Sequence, residues 1–520
     1  MLYIASRNFR QGDNIALAKS IELSQQLNVK LVAISIVDTD FLSFGAKSTS
    51  TNKSSFQYSM DRKRRVFFDK FYSYKKLLSS KFHIPYFLLH SGSNFASADE
   101  ACIICDFIDD CLEDNVVSII TDDYCNGAIF HKVWKRKENV PIFLVNNNIA
   151  DNLVGIALSE ACGSAFYTSV SPYFDYAEKF VNEAISNIES DTSRNEMLNI
   201  DFSDLNLFNN HNCQVNEAEK AIKFNASSSK NDFTIVDFNE VEEGGKSKKE
   251  EGSNIEHFEW NEEDLLLYFK KNVVSLNVLD ESEQDKSAIV CNLLEIEKFR
   301  QIVLNGLMLG IISPFFVLKF AQTNNPRLYN SNVKKLVAEF EVIMIVSSCF
   351  NGSTDVVISP EAMLSKYIAT IGDNVKVHID TFNPGKKSVS QIFFPQNLRK
   401  GATNDLIFNY IQNSLVLNGL FYDGLFFNYY FLFVLMNIKS AIIAMKIVLY
   451  EVVSYITYNH SKAGDNVYVM IQVLYKYHRL QATHNAEVTH TNLIDYIYSD
   501  SHGSQRISVD DIINYIDANL

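Results

Sequence analysis

Ser6-Arg7-Asn8-Phe9-Arg10-Gln11-Gly12-Asp13-Asn14-Ile15-Ala16-Leu17 follows an apolar Leu2-Tyr3-Ile4-Ala5 run and opens a helical pattern that continues to Leu27. Asp13 and Asn14 suit a helix N-terminus, where a side-chain oxygen can accept from orphan backbone amides, and Arg10 stands close enough in sequence to pair with Asp13. A strand, a polar turn and a capped helix in this order form the first step of a βαβ chain. On this reading the turn serves as a helix cap with a local ion pair.

Working outward, the same rhythm repeats. Apolar strand patterns at Leu2 to Ala5, Lys30 to Val37, Pro85 to Leu89, Val116 to Thr121 and Pro141 to Val145 alternate with helix patterns at Asp13 to Leu27, Asp61 to Ser80, Asn94 to Glu113 and Gly127 to Lys137. Right-handed crossovers then predict a Rossmann-like doubly wound parallel sheet over residues 1–175, with ligands expected beyond the carboxyl ends of its strands. Residues 176–259 change texture. Ser227 to Ser253 is polar, charged and Gly/Ser-bearing, and reads as an acidic, flexible linker or surface insertion. From Trp260 the pattern is helical: Glu262 to Lys271, Leu294 to Leu309, Pro314 to Ala321, Asn332 to Val346, Asn404 to Leu417, Leu425 to Tyr455 and Val467 to Leu480. The predicted architecture is α/β followed by an all-α half at 260–520.

Composition narrows the function classes. With 47% hydrophobic and 21% charged residues, the 520-residue chain is globular in character and long enough for two cores. Its net charge is −15, and beyond residue 260 acidic groups outnumber basic ones by 25 to 21, so no long basic track for DNA stands out. The start carries no secretory pattern, and the eight cysteines point to a reducing, intracellular setting, cytoplasmic or nuclear. Cys102, Cys105 and Cys111 have helical spacing without a second ligand pair, so no metal is expected. The apolar stretches Gln301 to Leu318 and Gly424 to Ile438 are interrupted or short for a bilayer, and no membrane insertion is expected. Arg62-Lys63-Arg64-Arg65 reads equally as a nuclear signal or a solvated helix face. His478, His484 and His490 are irregularly spaced and read as surface residues. No Gly-rich phosphate loop supports an unrelated nucleotide-binding protein.

The turn at Arg7 to Leu17 resembles the R-x-x-R-x-x-D-N-x-A-L element of the photolyase/cryptochrome family. The F-L-L-H-S-G-S-N-F-A-S-A-D-E-A passage (87–101), Ile142-Phe143-Leu144-Val145 with its Asn-rich turn, Gly155 to Ser159, and Ser164-Ala165-Phe166-Tyr167-Thr168 resemble class II cyclobutane-dimer photolyases in the same order. In the helical half, Thr403-Asn404-Asp405-Leu406-Ile407-Phe408-Asn409-Tyr410-Ile411-Gln412 is similar to T-H-D-x-x-W-N-A-A-Q, and Leu307 to Ser313 to L-H-F-G-Q-I-S. The resemblance implies an antenna-type α/β domain, whose chromophore it leaves unspecified, and a helical FAD-binding domain. It also implies light-driven repair of flipped pyrimidine dimers in damaged DNA. Asn409, Gln412 and Asp465 occupy its cofactor-contacting positions; it assigns no catalytic residue here.

Several departures weigh against that chemistry. Val303-Leu304-Asn305-Gly306 replaces L-S-P-Y. The helix at Lys335 to Cys349 lacks the family's paired arginines, suited to a diphosphate. Leu420 to Tyr430 replaces a helix bearing Arg, Trp and Lys. The chain has two tryptophans, Trp134 and Trp260, so the family's tryptophan relay in the helical half is missing. The expectation is a photolyase-like pseudoenzyme with an interaction or structural role, its partner either damaged DNA or a protein. The alternative is an active FAD-dependent photolyase or cryptochrome-like flavoprotein.

Overall fold

The computed structural model describes residues 1–37, 55–91, 100–113, 115–122, 127–145, 149, 179, 181–187, 233–235, 260–276, 286–350, 398, 400–418, 425–438, 441–452, 469–471 and 473–474. Asp465, the three C-terminal histidines and the similarity segments at 155–168 lie outside them.

The α/β half runs β1 (Leu2–Ile4), α1 (Ile15–Leu27), β2 (Val32–Val37), α2 (Ser55–Lys81), β3 (Tyr86–Ser91), α3 (Glu100–Cys111), β4 (Ile119–Thr121), α4 (Gly127–Arg136) and β5 (Ile142–Leu144). The sheet order is β5-β4-β1-β2-β3 followed by β6 (Phe233–Ile235), with all neighbours parallel except the last pair. Strand periodicity builds both faces. Tyr3, Ala33, Tyr86 and Leu88 pack one face with α1 and α2, while Leu2, Ile4, Ile34, Phe87 and Leu89 pack the other with α3 and α4.

The final strand, β6 (Phe233–Ile235), pairs antiparallel with β3 through Leu89, His90 and Ser91. It comes from the stretch expected to be linker, where the short Phe-Thr-Ile run is outnumbered by surrounding charge. Val181 and Ile185, from the same stretch, are fully buried with Trp260 in the helical core. That span therefore contributes packed structure to both halves.

The helical half comprises α5 (Glu262–Ser275), α6 (Lys286–Met308), α7 (Pro314–Asn324), a turn at Pro326–Leu328 with a π-helical segment at Tyr329–Val333, α8 (Lys334–Phe350), α9 (Leu406–Asn418), α10 (Leu425–Ile438) and α11 (Ala441–Val452). The long pattern expected from 425 to 455 is thus divided into two helices. Trp260, Phe269, Phe299, Leu304 and Val337 fill the core of its first part. Ser313 caps α7 ahead of Pro314, and Asn261 caps α5, each accepting a backbone N–H with its side chain. Among the described residues no helix is long and apolar enough to cross a membrane.

Candidate functional site

Strand order reverses between β1 and β4, the crevice where a doubly wound sheet receives ligands. Asp122 occupies it. Fully buried at the end of β4, its carboxylate accepts the backbone N–H of Ser6 at 2.8 Å, of Arg7 at 3.2 and 3.3 Å, and of Asn8 at 2.6 Å. Consecutive amides converging on one point form a nest suited to a phosphate oxygen. Here the protein fills that nest with its own anion.

The turn beyond the nest joins the two halves. Asn14 is the helix cap, accepting from Leu17 N at 3.0 Å. Asp13, expected to share that role, instead sits in the left-handed region at φ 50°, and its carboxylate accepts from the Ser313 hydroxyl in the helical half. Arg10, 2% exposed, donates to the carbonyls of Gly12, Asp13 and Gly310 and to the Asn8 side chain. Phe9 N donates to Gly310 O at 2.9 Å, and Glu262 accepts from the amides of Gln11 and Gly12. Burial pushes the Glu262 carboxyl up despite those amides and the nearby Arg10 charge. Gly310 is required at this contact: φ is +69°, and a Cβ there would stand 1.6 Å from Arg7 O.

Lys70 of α2 lies under the same turn, 5% exposed, with its ammonium 3.9 Å from the Phe9 ring centroid and 4.5 Å from that of Phe71. Burial lowers its pKa to about 7, opposed by the Asp122 charge. Tyr3 and Tyr74 are buried nearby, with phenols pushed far up by desolvation. Sequence reasoning missed Asp122, Lys70 and Glu262. The available signal for Asp122 was an acid directly after the apolar Ile119-Ile120-Thr121 strand; Lys70 lay within an outwardly charged pattern and gave none.

In the helical half, Asn409 and Gln412 are one helical turn apart on α9, and both are engaged internally. Asn409 Oδ1 accepts from Thr403 N at 2.9 Å and Thr403 Oγ1 at 2.8 Å, while its Nδ2 donates to Thr403 O at 2.7 Å. Gln412 is fully buried, donates to Glu451 at 3.1 Å and accepts from the Tyr430 hydroxyl at 2.7 Å. Asp405 caps the helix through Phe408 N and accepts from the Tyr429 hydroxyl. Phe408 stacks on Tyr430 and Phe433 at 5.1 and 4.4 Å between centroids. These polar groups tie α9 to α10, α11 and its own leading turn.

Asn305, on α6 in the segment that replaces L-S-P-Y, differs: it is fully buried and neither side-chain polar atom has a hydrogen bond among the described residues. Cys105 and Cys111 are buried on α3, with thiols pushed up by desolvation, Cys111 to about 12. Such thiols are poor nucleophiles and poor metal ligands. Among the described residues no cluster of metal-ligating side chains occurs.

The fold these elements define is a doubly wound α/β sheet joined to a large helical half. Solved structures with a similar backbone path include a bacterial class III photolyase from Agrobacterium tumefaciens, with TM-score 0.43 and 11% identity over 90% of this chain and 79% of that one. Another is an archaeal photolyase from Sulfolobus tokodaii with two FAD molecules, with TM-score 0.36 and 12% identity over 100% and 99% of the two chains. A cryptochrome from Synechocystis has TM-score 0.41 and 10% identity over 99% and 93%. No family model matches the sequence, and no curated protein does. Functional inference therefore rests on the side chains.

Proposed function

We propose that this chain is a photolyase-like protein, resembling the class II enzymes, in which the flavin-contacting positions have become core and the surviving role is interaction rather than light-driven dimer repair. The observation that carries this reading is the internal engagement of Asn409 and Gln412. Asn409 uses both ends of its amide on Thr403, and Gln412 is buried between Glu451 and Tyr430. Freeing Gln412 for a ligand would strand the buried Glu451 and Tyr430 groups, at about 1 to 3 kcal/mol per group, and freeing Asn409 would break its half-buried bonds to Thr403. As described, these two amides do not fit a bound FAD.

The closed nest at Asp122 supports the same reading for the α/β half, because a carboxylate fills the place a nucleotide phosphate would take. The deciding experiment is the absorption spectrum of the full chain purified in the dark, with supernatant flavin measured after heat denaturation. Protein free of flavin is expected; stoichiometric FAD overturns the proposal.

One observation favours the alternative, an active FAD-dependent photolyase or cryptochrome-like flavoprotein. The Asn305 amide is a buried polar group whose hydrogen bonds a ligand would complete. Under that reading FAD would copurify, and illumination would repair dimers in ultraviolet-treated DNA.

A further inference from the structure

Helix α4 carries His131, Lys132, Trp134, Lys135 and Arg136, and no acidic residue occurs from Gly127 to Lys137. In a chain of net charge −15 this is a concentrated cationic segment. Phe130 and Val133 anchor it in the sheet core, which turns His131, Lys132, Trp134, Lys135 and Arg136 to the exposed side. Lys137 serves the fold instead: its side chain is 10% exposed and pairs with Asp109 of α3.

Cations in the last turn complement the helix dipole, which accounts for Lys135 and Arg136 without any ligand. The indole has no such explanation. Trp134 is 48% exposed and stacks on His131, with centroids 5.9 Å apart and planes at 23°. Leaving so large an apolar ring in water forgoes the burial that normally places tryptophan inside or at an interface. A flat ring among cations matches the two parts of an unpaired nucleotide: a base that stacks and phosphates that pair.

We infer that the outer face of α4 binds single-stranded nucleic acid, with one base stacked on Trp134 and neighbouring phosphates on Lys132, Lys135 and Arg136. A polyacidic peptide would answer the cations and leave the indole unused. Duplex DNA would offer phosphates while keeping its bases stacked on one another. The site is on the α/β half and requires neither FAD nor a damaged base, so it stands or falls separately from the proposed function.

The chain's tryptophan content makes the test direct. Of its two tryptophans, Trp260 is 2% exposed, so ligand-induced quenching reports Trp134. The full chain is titrated in the dark with an oligothymidylate of about 15 nucleotides, with the same sequence as a duplex, and with polyglutamate. Saturable quenching by the single strand alone is expected, with a log–log salt slope of about −2 for three phosphate contacts. By anisotropy of a labelled oligonucleotide, Trp134→Ala is expected to weaken binding about 5- to 150-fold. The double variant Lys135→Glu/Arg136→Glu should weaken it and flatten the salt slope, with circular dichroism confirming the fold of both. Absent binding, equal binding of the duplex, equal quenching by polyglutamate, or undiminished affinity of Trp134→Ala would each overturn the inference. The first three need no variant.

Discussion

Replacing Lys70 with methionine is expected to stabilise the protein near neutral pH and to do so less as pH rises. The side chain is almost fully enclosed, and burial takes its pKa from 10.5 to about 7. At 1.36 kcal/mol per pKa unit, carrying the charge in the folded state costs on the order of 5 kcal/mol below pH 7. Between pH 7 and 10.5 the unfolded chain binds the proton and the folded chain does not, so stability rises with pH and the penalty is gone above 10.5. Groups opposing this include the Asp122 carboxylate at the end of β4 and the Phe9 and Phe71 rings, whose cation–π attraction returns about 1 to 2 kcal/mol. Methionine keeps the length of the stem and removes the charge. The difference between variant and native stability should therefore shrink by about 3 kcal/mol from pH 6 to pH 9. Urea unfolding followed by far-ultraviolet circular dichroism at both pH values measures it. A difference that stays constant with pH would refute the reasoning, as would a variant equally destabilised at both values.

Asp122→Ala removes the acceptor for three amides, one buried and two half-buried, and should cost about 3 to 5 kcal/mol, read as a fall in melting temperature, with partial recovery in high phosphate if the opened nest admits an anion. Gly310→Ala forces a Cβ against Arg7 O at a left-handed φ, and should destabilise by several kcal/mol and speed proteolysis between the halves, whereas Gly12→Ala meets only Glu262 Oε1 at 3.2 Å and should be milder. Asn305→Leu replaces a fully buried amide lacking hydrogen bonds among the described residues, and should raise the urea midpoint by an amount corresponding to about 1 to 3 kcal/mol. A fall in the midpoint would mean that a ligand or ordered water uses the amide.

The α/β half was legible because its signals are local. Apolar runs of strand length separated by helix-period segments specify parallel crossovers, and the alternation of Leu2, Tyr3 and Ile4 between two faces is the strand period itself. Asn14 was readable as a cap by the same local logic. Asp13 was not, because its partner Ser313 is 300 residues away, and its positive φ accompanies that contact with the helical half. Strand β6 was hidden because Phe233 to Ile235 gains its strand character from the edge of β3 rather than from its own surroundings. Asn409 and Gln412 show the limit of motif reading. The family resemblance singled out two amides as cofactor-contacting positions, but whether those groups were free depended on Thr403, Tyr430 and Glu451, two of them on other helices.

That distinction also bears on the proposed reading, in which the turn after β1 is kept and the helical half holds no flavin. Each described interaction of the turn is internal: Asn14 caps α1, the Ser6 to Asn8 amides close on Asp122, and Arg10, Asp13 and Gln11 fasten the α/β half to Gly310, Ser313 and Glu262. Losing a cofactor would remove none of these contacts, whereas altering Arg10 or Asp122 would expose buried carbonyls or amides without partners. Phe408 stacks on Tyr430 and Phe433 in the helical half, and under the proposed reading this packing fills space that a ligand would otherwise need. Under the proposed reading, a turn held by internal contacts beside a helical half packed with aromatic rings is what the same stability rules produce.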